Sequence, residues 1–147
     1  VDMNTVKELL DKKGREVYRV AHDASLSLCA RTMMDHEAGS LLIFKEEALV
    51  GIFTWHDLVR AVARHDDVGH RPVSDFMSRD LLTTTEAAEW SDVEEMMVKN
   101  HVRHLPVVDD GRVVGVVQRH DVVANLCHAA SAVTAELDAY IRSEYPR

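Results

Sequence analysis

A threonine and an aspartate three residues apart are the side chains best placed to do chemistry in this chain. They lie where an apolar strand gives way to a helix, in Val50-Gly51-Ile52-Phe53-Thr54-Trp55-His56-Asp57-Leu58. The first turn of a helix leaves N–H donors unpaired and carries partial positive charge. Its amides, with the Thr54 hydroxyl, can therefore grip a phosphate. A carboxylate repels phosphate but accepts hydrogen bonds well from ribose hydroxyls. Strand end, Thr54 and Asp57 together suit a nucleoside phosphate. The same two residues also read as a capping box, with Thr54 capping the helix and Asp57 reaching back in place of the usual Glu or Gln.

The corner occurs twice. A shift of 64 residues lays Val114-Gly115-Val116-Val117-Gln118-Arg119-His120-Asp121-Val122 under the first stretch. Gly51 falls on Gly115, His56 on His120, Asp57 on Asp121 and Val59 on Val123. Upstream, Ser27 falls on Ser91, Met33 on Met97 and Leu41 on Leu105, and after a three-residue gap Val6-Lys7-Glu8-Leu9 lies over Val73-Ser74-Asp75-Phe76. Two units are too few for a solenoid, which needs ~3 or more repeats. A face-to-face pair, each half covering the other's apolar sheet, is the simpler packing. Gln118 stands where Thr54 stood, and glutamine is a poor N-cap. Asp121 is kept without a capping partner, which weakens a pure capping account of Asp57 and makes the two corners unequal.

Other chemistry finds little support. Among nine histidines, His101 and His104 are three apart where a helix gives way to a strand, and Cys127 and His128 are adjacent and face different sides of a helix. No ligand set has zinc-site spacing, so no metal is expected. There is no nucleophile elbow, phosphate loop or metalloprotease helix, and no catalytic residue is assigned. The Met33/Met34 and Met96/Met97 pairs sit at core spacing.

Composition bounds the partners. The 147 residues are 46% hydrophobic and 29% charged, ordinary for a soluble globular chain of one domain with two lobes. Acids outnumber bases 25 to 17, for a net charge of −8. With no basic run, nucleic acid is not expected as a partner. No apolar run approaches the ~20 residues of a membrane span, so no membrane partner is expected. The start carries no secretory pattern, and it opens on Val1 rather than Met, as a trimmed end would. Cys29 and Cys127 lie in apolar helical patterns and read as buried free thiols in a reducing compartment, which places the protein in the cytoplasm.

The elements that must position the corners follow from periodicity. Thr5 to Leu10 reads as a short helix with Thr5 near its cap, and Val17 to Val20 as a short strand. After a reset at His22-Asp23-Ala24-Ser25, Leu26, Cys29, Ala30, Met33 and Met34 give a helix one buried face, ended by Gly39. Leu41 to Phe44 and Leu49 to Phe53 form neighbouring strands, and a helix starts near Trp55. A polar linker over 66–71 leads to Pro72. The second half repeats the order, with Val73 to Met77 a short helix and Leu81 to Thr84 a short strand. Ser91, with Glu94, caps the helix over Val93, Met96 and Met97. Strands follow at Leu105 to Val108, with Pro106 at an edge or strand start, and at Val113 to Val117, joined by an Asp109-Asp110-Gly111 hairpin. Then Val122, Leu126, Ala130, Val133, Leu137 and Ile141 mark one long helical stripe, which either covers the core or, as this reading prefers, meets a second copy.

These pieces resemble a known family. Val73-Ser74-Asp75-Phe76-Met77, Arg103-His104-Leu105-Pro106-Val107-Val108-Asp109, Val113-Val114-Gly115 and the Gly51-x-x-Thr54-x-x-Asp57 corner resemble, in order and spacing, a tandem CBS-domain protein or Bateman module. The likeness covers nearly the whole chain, and Leu137 to Ile141 is similar to the closing helix of small stand-alone bacterial CBS pairs. The resemblance implies an α/β (α+β) fold of two pseudo-twofold related units, each β-α-β-β-α, packed through their sheets. The units would span 1–65 and 72–127, with a C-terminal helix over 128–147. It implies a regulatory, energy-sensing module and not an enzyme. No cofactor is required; an adenosine-containing ligand (AMP first, or ADP, ATP, an NAD-type nucleotide or S-adenosylmethionine) occupies a cleft between the units. The family's hydroxyl and carboxylate carry over onto Thr54 for phosphate and Asp57 for the ribose diol, with His56 in place of an arginine that meets phosphate in many relatives. Backbone at Tyr18 and at Ser40, Leu41 and Leu42 would frame the adenine. In a second, weaker cleft Asp121 carries over, with Gln118, Arg119, His104 and Arg103 beside it. A homodimer through the CBS helices and the C-terminal helix, and an unidentified protein target, complete the picture. The rival reading is a CBS pair that has lost its ligand and serves as a dimeric interaction scaffold.

Overall fold

The protein's structure, a computed structural model, describes residues 4–124. It begins with helix α1 (Val6–Lys13), strand β1 (Arg19–Ala21), helix α2 (Leu26–His36), strands β2 (Ser40–Lys45) and β3 (Ala48–Thr54), and helix α3 (Trp55–Arg64). The second half has a 3-10 turn at Val73–Asp75, helix α4 (Trp90–Asn100), and strands β4 (His104–Asp109) and β5 (Arg112–Gln118). Residues 119–124 are helical. The expected mixed α/β architecture of two like units is therefore present. Cys127 and the expected helix over 128–147 lie outside the described residues.

The two halves share one strand register. β2 pairs antiparallel with β3 from Ser40↔Thr54 to Lys45↔Ala48, and β4 pairs with β5 from His104↔Gln118 to Asp109↔Arg112. Each ladder shifts register at the same place, between Ile43 and Phe44 in one and between Val107 and Val108 in the other. The sheets meet through Leu42, Ile52 and Val116, with Val17, Phe44, Leu49, Leu81 and Val113 around them.

The leading segments are exchanged. Val6, Leu9 and Leu10 of α1 are buried in the core of the second half with Val93, Met97, Leu105, Val107, Val117 and Val122. Val73, Phe76 and Met77 pack reciprocally into the first-half core with Leu26, Cys29, Met33, Leu41, Ile43 and Phe53. The repeated glycines make the exchange possible. A Cβ at Gly51 would stand 2.4 Å from Met77 Sδ, and one at Gly115 would stand 2.9 Å from both Leu10 methyls. Leu10 and Met77 thus occupy the same seat, each against a strand that lacks a side chain there. Cys29 is fully buried, and desolvation pushes its thiol up to about 11.

Several local expectations change. Leu81 to Thr84 does not form a strand; Thr84 makes one parallel bridge to Val107. In the first half the Leu42 N–H donates to the Tyr18 carbonyl at 2.9 Å and anchors β1. Pro106 takes the place of Leu42 and has no N–H to give, so the ladder stops at one bridge. Val73 to Met77 shortens to a 3-10 turn. Ser91 is not the cap of α4: the helix starts at Trp90, whose N–H donates to the Asn4 carbonyl at 3.0 Å, and Glu89 at the cap position makes no side-chain bond. Gly39 does not end α2; Glu37 does, in the left-handed region at φ 52°. Gly39 serves close approach instead, since a Cβ there would lie 3.2 Å from His104 Nε2. The segment 66–71 is packed: Gly69 and Arg71 carbonyls accept the Ser27 and Leu26 N–H groups, and Val68 is buried. Thr5 caps α1 as expected, with Glu8 closing the box, and Ser25 caps α2 by accepting the Leu28 N–H.

Candidate functional site

The Thr54 corner is built by the strand it ends and the helix it starts. Thr54 has extended backbone (φ −116°, ψ 168°), and its Oγ1 accepts the Asp57 N–H at 3.3 Å. Asp57 Oδ2 accepts the Thr54 N–H at 3.0 Å and the Thr54 hydroxyl at 3.1 Å. The capping box is therefore real. Among the described residues it leaves Asp57 Oδ1 with one long contact, Arg60 Nη1 at 3.4 Å, and Arg60 is itself half exposed.

This corner opens on the larger cleft, of about 480 Å³. Thr54, His56, Asp57 and Arg60 form one side, with Trp55 and Ile52 beside them. Because the leading segments are exchanged, the opposite side comes from the second half: Ser78, Asp80, Leu81, Leu82, His101, Arg103, His104 and Pro106. The volume is within the range of small-molecule sites. Apolar surface at Ile52, Leu81, Leu82 and Pro106 adjoins a polar end carrying cations and three histidines. Burial pushes the His104 imidazole below its ordinary value; His120, Lys13 and Arg103 add to this and Asp121 opposes it.

The sequence-derived site is thus regrouped. Thr54, His56 and Asp57 are brought together as anticipated, but Arg103 and His104 join them from the supposed second cleft. Tyr18, Ser40 and Leu42 line the other, smaller cleft of about 210 Å³, together with Gln118. Leu41 is fully buried in the first-half core and lines neither. Arg119 and His120 lie on a shallow outer surface with Arg103 and Gln118. Asp121 lines neither cleft: its Oδ2 accepts Lys13 Nζ at 2.7 Å and the Gln118 N–H at 2.9 Å. In the smaller cleft Tyr18 stacks on His36 at 4.6 Å between ring centroids.

The residues missed were already implied by the repeat. Leu82 and His104 to Pro106 are the counterparts of Tyr18 and Ser40 to Leu42. The sequence groups Tyr18 and Ser40 to Leu42 with Thr54, whereas the Thr54 cleft is lined by their counterparts Leu82, His104 and Pro106, because the exchange of leading segments leaves no mark on the repeat itself. Arg60, three residues after Asp57 on α3, and Asp80 had no sequence signal. Among the described residues, no group of three or more His, Cys, Asp or Glu could hold a metal, and no helix is long and apolar enough to cross a membrane.

Comparison with known proteins agrees with this architecture. The family model for the CBS domain matches residues 6–64 and again 73–128. The chain is similar to the crystal structure of the CBS-domain protein ATU1752 from Agrobacterium tumefaciens, 33% identical over 83% of this chain and 92% of that one, with a TM-score of 0.79. It is also similar to the CBS domain-containing protein YhcV of Bacillus subtilis, at 27% identity over 90% of this chain and 93% of that protein. A third likeness is to the CBS domain pair of protein MJ0100, solved with 5′-methylthioadenosine and S-adenosyl-L-methionine. There the identity is 29%, the coverage 86% of this chain and 97% of that one, and the TM-score 0.72.

Proposed function

The chain belongs to the CBS-domain family, as a tandem pair, and on that premise we propose that its larger cleft is a regulatory site for an adenosine-containing ligand, AMP in the first place. The observation that carries this reading is Asp57, which lines a cleft of nucleotide size and whose Oδ1, among the described residues, is met by one long contact from a half-exposed arginine. A ribose diol supplies the donors that this oxygen lacks. The base lies against Ile52, Leu81, Leu82 and Pro106. Pro106 offers the Leu82 carbonyl no N–H, so the 6-amino group of adenine can donate there. The phosphate takes the Thr54 hydroxyl, whose proton swings from Asp57 Oδ2 to a phosphate oxygen, with Arg103 supplying positive charge and His56 a ring N–H donor. The module senses and transmits; it runs no reaction.

Calorimetric titration with AMP tests the assignment. Asp57→Ala should abolish binding, whereas Asp121→Ala, whose carboxylate faces neither cleft, should change it little; the reverse pattern refutes the reading. AMP at a hundredfold excess over its dissociation constant should raise wild-type stability by about 2.7 kcal/mol. No thermal response to any adenosine compound would favour the interaction scaffold instead.

Association into a homodimer through the helices is part of this proposal. Met34 and Val98, and likewise Val59 and Val123, are repeat-related pairs of exposed apolar side chains, and Val62 adds to the α3 face. α3 buries only Ala61 completely, although its apolar residues fall at helical spacing. The cytoplasm is the compartment proposed, since AMP is met there.

A further inference from the structure

We propose that Lys13 acts as an internal stand-in for a ligand and holds the smaller cleft shut, so that each chain takes up one adenosine ligand rather than two. The inference rests on the adenosine reading of the Thr54–Asp57 cleft. The two aspartates are repeat counterparts with opposite surroundings. Asp57 lines its cleft. Asp121 does not line its own; Lys13 forms that wall instead. The ammonium lies 2.7 Å from Asp121 Oδ2, and the two side chains are only 23% and 10% exposed. Oδ2 also accepts the Gln118 N–H at 2.9 Å, and Oδ1 is 3.3 Å from His120 Nε2. Oδ2 is thus filled by Lys13 and the Gln118 N–H, and the lysine stands between the carboxylate and the cleft, where a sugar hydroxyl would have to approach.

The lock is absent from the larger cleft for a reason written in chain length. Leu10 and Met77 occupy equivalent seats against Gly115 and Gly51. The path from Leu10 to Tyr18 is three residues longer than the path from Met77 to its counterpart Leu82. α1 spends the extra residues on continued helix as far as Lys13, where the second half has only the Val73–Asp75 turn. The lysine then sits in the last turn of α1, where a cation also complements the helix dipole. Among the groups that act on His104, Asp121 is the one carboxylate, beside Lys13, Arg103 and His120. The smaller cleft also carries Glu16 and Glu37, and Lys13 is the group that closes on Asp121, at 2.7 Å.

Calorimetry with adenosine, which has no phosphate to confuse the count, tests the lock. The wild type should take up one equivalent per chain, and Lys13→Gln two. Lys13→Arg should stay at one, and Lys13→Gln/Asp121→Ala should return to one. Lys13→Met, which keeps the apolar stem, replaces Lys13→Gln if the latter does not fold. A folded Lys13→Gln protein, with wild-type circular dichroism, that still takes up one equivalent overturns the proposal. Failure of the underlying adenosine reading looks different: the wild type then takes up none. In that case Lys13→Gln gains one equivalent if the lock exists and none if it does not.

Discussion

Replacing Gly51 by alanine probes the exchange of leading segments, on which the shape of the larger cleft depends. The added Cβ would come within 2.4 Å of Met77 Sδ, 2.8 Å of Met77 Cγ and 3.0 Å of the Ser78 carbonyl oxygen. The thioether can move. The carbonyl is held, because Ser78 and Ile52 exchange two backbone hydrogen bonds of 2.9 and 3.0 Å. Overpacking of this kind costs about 1–3 kcal/mol. Gly51 is not in the left-handed region, so alanine recovers about 0.4–1 kcal/mol by restricting the unfolded chain. Taking the middle of each range, the net loss should be about 1.3 kcal/mol, or a fall of roughly 3–5 °C in Tm for a domain of this size. Urea unfolding followed by circular dichroism measures it. Met77→Ala removes the sulfur and Cγ, so Gly51→Ala should cost less in that background, by ~0.5 kcal/mol or more. Because the segment after Met77 supplies Ser78, Asp80 and Leu82 to the cleft, AMP affinity should fall with stability. Equal cost in both backgrounds, or a Gly51→Ala protein as stable as wild type, would refute the account of the glycine.

Two further outcomes follow from the site and its surroundings. His104 is held below its ordinary 6.5 by burial, so the unfolded chain binds a proton there before the folded one does. Stability should therefore be lost as pH falls through 6.5, and His104→Gln should remove that part of the slope in melts between pH 7.5 and 5.5; parallel slopes would contradict it. The double substitution Val59→Asp/Val62→Asp places charge on exposed positions of α3 and should yield a monomer by light scattering without loss of folding. An unchanged mass would exclude α3 from the contact between copies.

The sequence by itself determined the repeat, and with it most of the elements. Alternation and three-to-four spacing are local properties of side chains, and they located α2, α3, β2–β5 and the Thr54–Asp57 box without any tertiary information. The glycine pair was visible too, though not its purpose. What only the tertiary structure decided was which residues share a cleft. α1 and the turn at Val73–Asp75 each cross to the opposite half, a choice made by burial of Leu10 and Met77 against the glycines and invisible to any local pattern. That crossing moved the partners of Asp57 from Tyr18 and Ser40 to Leu82 and His104, and it carried Lys13 to Asp121. Pro106 adds the same lesson on a smaller scale. Its missing N–H was legible in the sequence, but the strand it would fail to pair with was known only once the sheet had formed.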